Sequence, residues 1–107
     1  MGFLSKLFGP KTDYKQLVQN GAIIVDVRTS SEYNGGHIQS SLNIPVDAIS
    51  SKVNELKKKG KPVITCCASG MRSARAASVL KQNGIEAYNG GSWVVLKKQL
   101  DLSLIHI

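Results

Sequence analysis

The sequence predicts an α/β domain built on a mostly parallel sheet, with helices on both faces. Three observations predict it. Short apolar runs alternate along the chain with stretches of helical periodicity. The run from Pro62 to Cys66 is β-branched and apolar throughout, as a strand covered on both sides is. The segment from Pro62 to Ala77 passes directly from such a run through small residues into an alanine-rich helical stretch.

The elements follow in order. Ala22–Val27 reads as a buried strand, and Thr29 or Ser30 caps the short helix after it, which Gly35-Gly36 stops. Leu42–Pro45 is a second strand closed by proline. Asp47 is then expected to cap a helix that carries Ile49, Val53 and Leu56 on one face and ends at Gly60. Pro62–Cys66 is the third and central strand. Arg72–Asn83 forms the next helix, with Ala76, Val79 and Leu80 inward and Gly84 at its end. Ile85–Asn89 is the last strand, and Gly90-Gly91 leads into a helix near Ser92–Leu100. No internal repeat or low-complexity segment interrupts this pattern.

A chain of 107 residues supports one core and hence one domain, taken as residues 11–100. Residues 1–10 form an N-terminal extension whose Phe3, Leu4, Leu7 and Phe8 share one helical face beside Lys6. Docking on the domain itself is preferred there to docking on a membrane. Residues 101–107 form an apolar tail suited to covering the sheet or pairing with another subunit, and the expected state is a monomer or weak dimer. With no apolar span and no export signal, a cytoplasmic location is the default. Lys6 stands where a myristoylation motif requires serine or threonine.

The net charge of +7 suits small anionic compounds, nucleic acid or an acidic surface. Aromatic residues do not interleave with the basic ones, so no stacking surface for nucleic acid is expected. The densest basic run, Lys57-Lys58-Lys59-Gly60-Lys61, falls at a helix end, where the dipole favours cations. The two cysteines are adjacent, and neighbours in a strand point to opposite faces, which disfavours a disulfide between them. His37 and His106 lack metal-ligand spacing around that pair. Neither a metal nor an organic cofactor is implied.

The chemistry concentrates at Cys67. A strand, a cysteine, a tight loop of Ala68, Ser69 and Gly70, and a helix opening near Met71-Arg72 place a thiol over a helix N-terminus. The small residues let backbone amides turn inward without steric cost. Inward amides and the positive end of the helix dipole make an anion cradle, so the thiol should be largely thiolate near neutral pH. A thiolate there can take a sulfur atom as a persulfide and pass it to a second nucleophile. Cys66 is expected to behave as a small buried hydrophobe rather than as a resolving thiol.

Four motifs in order resemble those of the single-domain rhodaneses, a sulfurtransferase family, from about Asp13 to Leu100. They are Asp26-Val27-Arg28; Tyr33–Ile38 followed by Asn43-Ile44-Pro45; the active loop Cys67–Ser73; and Gly90-Gly91-Ser92-Trp93. The resemblance implies a central five-stranded sheet and a Cys67 nucleophile carrying persulfide. It also implies a substrate loop of Ala68, Ser69, Gly70, Met71 and Arg72, with Arg72 closing it. Asp26 and His37 match supporting positions. Arg28 is read as structural, with a place at the pocket mouth as the alternative, and Trp93 is read as core packing. The implied reaction moves sulfane sulfur from thiosulfate, a persulfide or a polysulfide to cyanide or a thiol, with a donor or acceptor protein as a candidate partner.

Where the family often has proline, glycine and alanine, this chain has Gln39, Ser40 and Ser41. Ala68 stands where a basic residue is frequent, and Met71 where a polar one is, so a dianion such as thiosulfate is attracted less strongly. Two other readings compete. A cysteine-dependent phosphatase or arsenate reductase would need a loop one residue longer than the four residues between Cys67 and Arg72. A non-catalytic sulfur carrier or binding module would use the same fold, although retention of Cys67 and Arg72 argues against pure scaffolding.

Overall fold

The computed structural model describes residues 12–105, with side chains through Asp101. The expectations placed on residues 1–10 and on the side chains of the apolar end fall outside the described residues. Four strands form one parallel sheet in the order β2-β1-β3-β4: β1 (Ile23–Asp26), β2 (Leu42–Asn43), β3 (Val63–Cys67) and β4 (Ala87–Ser92). The expected fifth strand is not among the described residues. The stretch ahead of β1 is spent instead on helix α1 (Tyr14–Gln19), which Asp13 caps by accepting the Gln16 amide.

Continuous apolar strands require cover on both sides, and the helices supply it. Helices α3 (Ile49–Lys59) and α4 (Met71–Gln82) bury Ile49, Val53, Leu56, Ala76, Ala77 and Leu80 against Val25, Val63 and Cys67 on one face. On the other, α1 and α5 (Trp93–Ile105) bring Leu17, Val18, Trp93 and Leu96 against Ile24, Ile64 and Cys66. Strand alternation thus sends adjacent residues of β3 into different cores. The two cysteines are free and separated by the sheet, as their adjacency predicts.

Local sequence explains most boundaries. Thr29, not Ser30, caps the short α2 (Ser30–Asn34): its hydroxyl accepts the Glu32 amide, and the Glu32 carboxylate accepts the Thr29 amide in return. Helix α3 closes at Gly60 in the left-handed conformation, after a last turn of three lysines. Asp47 does not cap α3. Pro45 starts a 3-10 turn over Val46–Ala48, so Asp47 lies inside that turn and pairs with Arg75 at 3.4 Å. Helix α5 continues to Ile105, beyond the expected end near Leu100.

Strand β4 also outruns its expected end at Asn89, because both glycines are absorbed as a bulge. Thr65 pairs with Asn89 and Cys67 with Ser92, so β4 spends one residue more than β3 across this span. Gly90 makes the close approach possible: a Cβ there would stand 2.8 Å from both Ile64 Cγ2 and the Thr65 carbonyl oxygen. Gly90→Ala is accordingly expected to lower stability by about 1–3 kcal/mol, the usual cost of overpacking. An unchanged denaturant midpoint would contradict it.

Candidate active site

Cys67 is the last residue of β3, and the chain turns within Ala68–Gly70 to enter α4. The turn needs Gly70, which sits at φ 104° with its α-carbon side packed against Gly91; a Cβ there would lie 3.4 Å from the Gly91 Cα. This conformation aims the Gly70 amide back at the sulfur. Gly70 N–H donates to Cys67 Sγ at 3.0 Å and Ser73 N–H does so at 3.4 Å, while the Ser73 hydroxyl lies 3.3 Å away. Two backbone amides thus converge on the sulfur at the N-terminal end of α4.

The same thiol is fully enclosed by protein. Burial is the largest single influence on its ionisation and opposes it. The Ser73 hydroxyl, the Ser73 amide, and the Gly70 and Ser69 amides together outweigh burial and hold the Cys67 thiol below its ordinary value. Cys66 has no such compensation: burial, followed by the nearby Asp26 charge, pushes it up to about 12. Adjacent cysteines thus receive opposite treatment, and of the two only the Cys67 thiol is shifted toward its thiolate.

The rest of the expected loop is solvent-facing. Ala68 and Ser69 are exposed, and Met71 is 81% exposed at the start of α4. Arg72 turns to α2, where its guanidinium grips the Glu32 carboxylate through two bonds of 2.8 and 3.0 Å. Arg72, followed by the Thr29 amide, holds the Glu32 carboxyl down to about 2. Glu32 thus serves two functions, capping α2 and tethering the start of α4 to it.

The remaining expected residues build the support. Arg28 is buried; it chelates Asp26 with contacts of 2.7–3.0 Å and donates to the Glu32 and Gly36 carbonyls. Its guanidinium also lies 4.7 Å from the centre of the Trp93 ring, so Trp93 covers an ion pair as well as packing. His37 stacks on Tyr33 at 3.7 Å and its Nδ1 contacts the Tyr33 carbonyl, which steadies the turn after α2. Among the described residues, neither Arg28 nor His37 hydrogen-bonds to the sulfur or to the loop amides. Among the described residues no group of His, Cys, Asp and Glu could hold a metal ion, and no helix is long and apolar enough to cross a membrane.

The sequence reading gives no role to two site residues, Ser73 at the end of the loop motif and Asn89. Ser73 is buried one turn into α4, and Asn89 reaches it from β4: Asn89 Oδ1 accepts from the Ser73 hydroxyl at 2.6 Å, and Asn89 Nδ2 donates to the Gly70 carbonyl at 3.2 Å. Ser73 has a legible signal. It shares the spacing of Ala76, Ala77 and Leu80, a polar residue on the stripe that enters the core. Asn89 is a weak strand former just before two glycines, and nothing in sequence ties it to a loop 19 residues away.

Comparison with known proteins agrees with this geometry. The profile of the rhodanese-like domain matches residues 11–95. The chain is 42% identical over 69 residues to the uncharacterized protein YqhL of Bacillus subtilis (strain 168), covering 64% of this chain and 54% of that one. It is 37% identical over 87 residues to a tRNA sulfurtransferase of Thermoplasma acidophilum, covering 80% of this chain and 17% of the relative. The chain therefore spans about half of the first relative's length and much less of the second's. Among solved structures, the human single-domain sulfurtransferase TSTD1 superposes with a TM-score of 0.62 at 26% identity, over 80% of this chain and 91% of that one. With the family profile spanning nearly the whole fold, the chain belongs to the rhodanese-like domain family.

Proposed function

We propose that this domain is a sulfurtransferase that carries sulfane sulfur as a persulfide on Cys67. The observation that carries the reading is the pair of backbone N–H groups, from Gly70 and Ser73, converging on a thiol whose ionisation is favoured. The Cys67 thiolate attacks the outer sulfur of a donor R–S–S⁻. A new S–S bond forms on Cys67, the donor S–S bond breaks, and R–S⁻ leaves with the electron pair. The outer sulfur then bears the negative charge beside the loop amides. A thiol or cyanide completes transfer by attacking that sulfur and expelling the Cys67 thiolate.

The mouth favours a donor without a dianionic head. Ala68 brings no cation, Met71 presents an apolar side chain, and the Arg72 charge is offset by Glu32. A persulfide on a small thiol or on a protein suits this surface better than thiosulfate. Relatives and neighbours named as sulfurtransferases support the reaction class.

Intact mass after exposure to a sulfane-sulfur donor tests the reading. One added sulfur, about 32 Da, is the intermediate itself. No gain with thiosulfate, glutathione persulfide or polysulfide, together with turnover of p-nitrophenyl phosphate, would replace sulfur transfer by phosphoryl chemistry. Loading only from a partner protein would make the domain a carrier.

Glu32→Gln tests the charge argument. Glutamine keeps the capping box, but it frees the Arg72 charge. The KM for thiosulfate is expected to fall by about fivefold, on the order of 1 kcal/mol for one solvent-screened charge. An unchanged KM would show that Arg72 does not face the donor. The carboxylate's support for folding is full above the ordinary carboxylate range and is lost as pH falls toward about 2. The variant should therefore lose part of the parent's stability at neutral pH and none of it at the acid end.

A further inference from the structure

The Ser73 hydroxyl stands between Asn89 Oδ1, at 2.6 Å, and Cys67 Sγ, at 3.3 Å. The Asn89 amide can be placed only one way. Its Oδ1 accepts the Gly91 N–H at 3.0 Å and its Nδ2 donates to the Gly70 carbonyl at 3.2 Å, so exchanging the two would set donor on donor and acceptor on acceptor. Oδ1 has no proton to give. The 2.6 Å contact between it and Ser73 must therefore use the single hydroxyl proton of Ser73. With that proton committed, Ser73 turns lone pairs toward Cys67 Sγ, 3.3 Å away, so the hydroxyl's support for the thiolate is realised only when it rotates to the sulfur. A neutral thiol satisfies this arrangement by donating S–H to the hydroxyl, whereas a thiolate has nothing to donate.

We propose that Asn89 is a positioning residue that withholds the Ser73 hydroxyl proton from Cys67, so that ionisation of the sulfur requires this hydroxyl to rotate from Asn89 to Sγ. The S–H proton leaves to solvent, the Ser73 O–H bond stays intact and only its direction changes. Once a persulfide forms, the charge sits on the outer sulfur, the inner sulfur is neutral, and the hydroxyl returns to Asn89. Asn89 thereby raises the cost of the empty thiolate relative to the loaded state and favours retention of bound sulfur. This rests on Cys67 being the sulfur-carrying thiol of the proposed function, but its test reads ionisation and needs no turnover.

The titratable groups on the elements packed about the sulfur are Arg72 from α4 with Glu32 from α2, the Asp26–Arg28 pair at the end of β1, the Cys66 thiol in β3, and Glu86 bonded to Tyr88 on β4. None is altered in the experiment, which is a double-mutant cycle of Asn89→Ala and Ser73→Ala. The pH dependence of Cys67 alkylation is measured by mass. Asn89→Ala frees the hydroxyl to donate to the sulfur and is expected to raise the thiol ionisation constant about tenfold, the worth of one hydrogen bond. On the Ser73→Ala background the same substitution should have no effect. A fall in the constant, or a shift that persists without Ser73, would mean that Asn89 acts only by holding the loop through Gly70, and would overturn the proposal.

A second measurement uses the unaltered chain and stands if Asn89→Ala fails to fold. The Gly91 amide shares Oδ1 with Ser73, so its proton resonance should titrate with the Cys67 midpoint and become flat in Ser73→Ala. A resonance that is flat in the parent, or that still titrates in Ser73→Ala, would equally overturn the proposal.

Discussion

Cys67→Ser is expected to abolish the one-sulfur mass gain and to reduce sulfur transfer by about 10⁴-fold or more, the range reached when a covalent nucleophile is removed. The expectation is large because the substitution is chemically severe and structurally mild. Serine fits the space of the buried cysteine, and its oxygen can still accept from the Gly70 and Ser73 amides. A hydroxyl in the same cradle does not ionise near neutral pH, so no nucleophile remains. Folding should survive, and thermal unfolding of the variant separates loss of chemistry from loss of structure.

Cys66→Ala is the matched control. That thiol lies across the sheet from the loop and is pushed up to about 12, so it stays un-ionised near neutral pH. Its removal should leave sulfur loading intact at the cost of a small cavity in the second core. Iodoacetamide at neutral pH should likewise label Cys67 alone. Loss of loading in Cys66→Ala with full loading in Cys67→Ser would exchange the roles of the two cysteines.

Much of this assignment was readable from strand parity. An uninterrupted apolar run ending in two cysteines sends one to each face, and only the second stands where the chain turns into a helix. Short-range chemistry was legible for the same reason. Thr29 and Glu32 are three residues apart, so the capping box around α2 is a local property of the sequence. Asp47 shows the limit of such reasoning, since Pro45 two residues earlier decided where the turn began.

What could not be read are the contacts joining elements distant along the chain. Arg72 meets Glu32 across 40 residues, and Asn89 meets Ser73 across 16. Both follow from the sheet order, which sets β4 beside β3 and brings α2 and α4 to the same end of the sheet. The Gly90-Gly91 bulge belongs to this class too. Read locally the glycines end a strand; in the sheet they carry Asn89 and Ser92 past β3 with one residue to spare.

Asp26→Ala is expected to have the largest effect on folding. The carboxylate is fully buried at the end of β1 and accepts from Arg28 Nε, Nη2 and backbone N–H at 2.7–3.0 Å. Its hydrogen bond is the main cause holding the Arg28 guanidinium above its ordinary value, ahead of the burial that opposes it. Alanine leaves that guanidinium enclosed beneath Trp93, with two backbone carbonyls as its remaining partners. Removing one member of a buried pair typically costs about 3–5 kcal/mol, because the other charge has lost its counter-ion but not its burial. A domain of this size has only about 5–15 kcal/mol in total. The variant should therefore melt on the order of 15–25 °C lower, or fail to fold at growth temperature. Replacing both partners by apolar residues, Asp26→Leu with Arg28→Met, should be less damaging than Asp26→Ala alone, since no charge is then stranded. Equilibrium denaturation of the three proteins decides it. A single variant within about 1 kcal/mol of the parent, or a double variant worse than the single, would show that the pair is not what holds the end of β1 against α2.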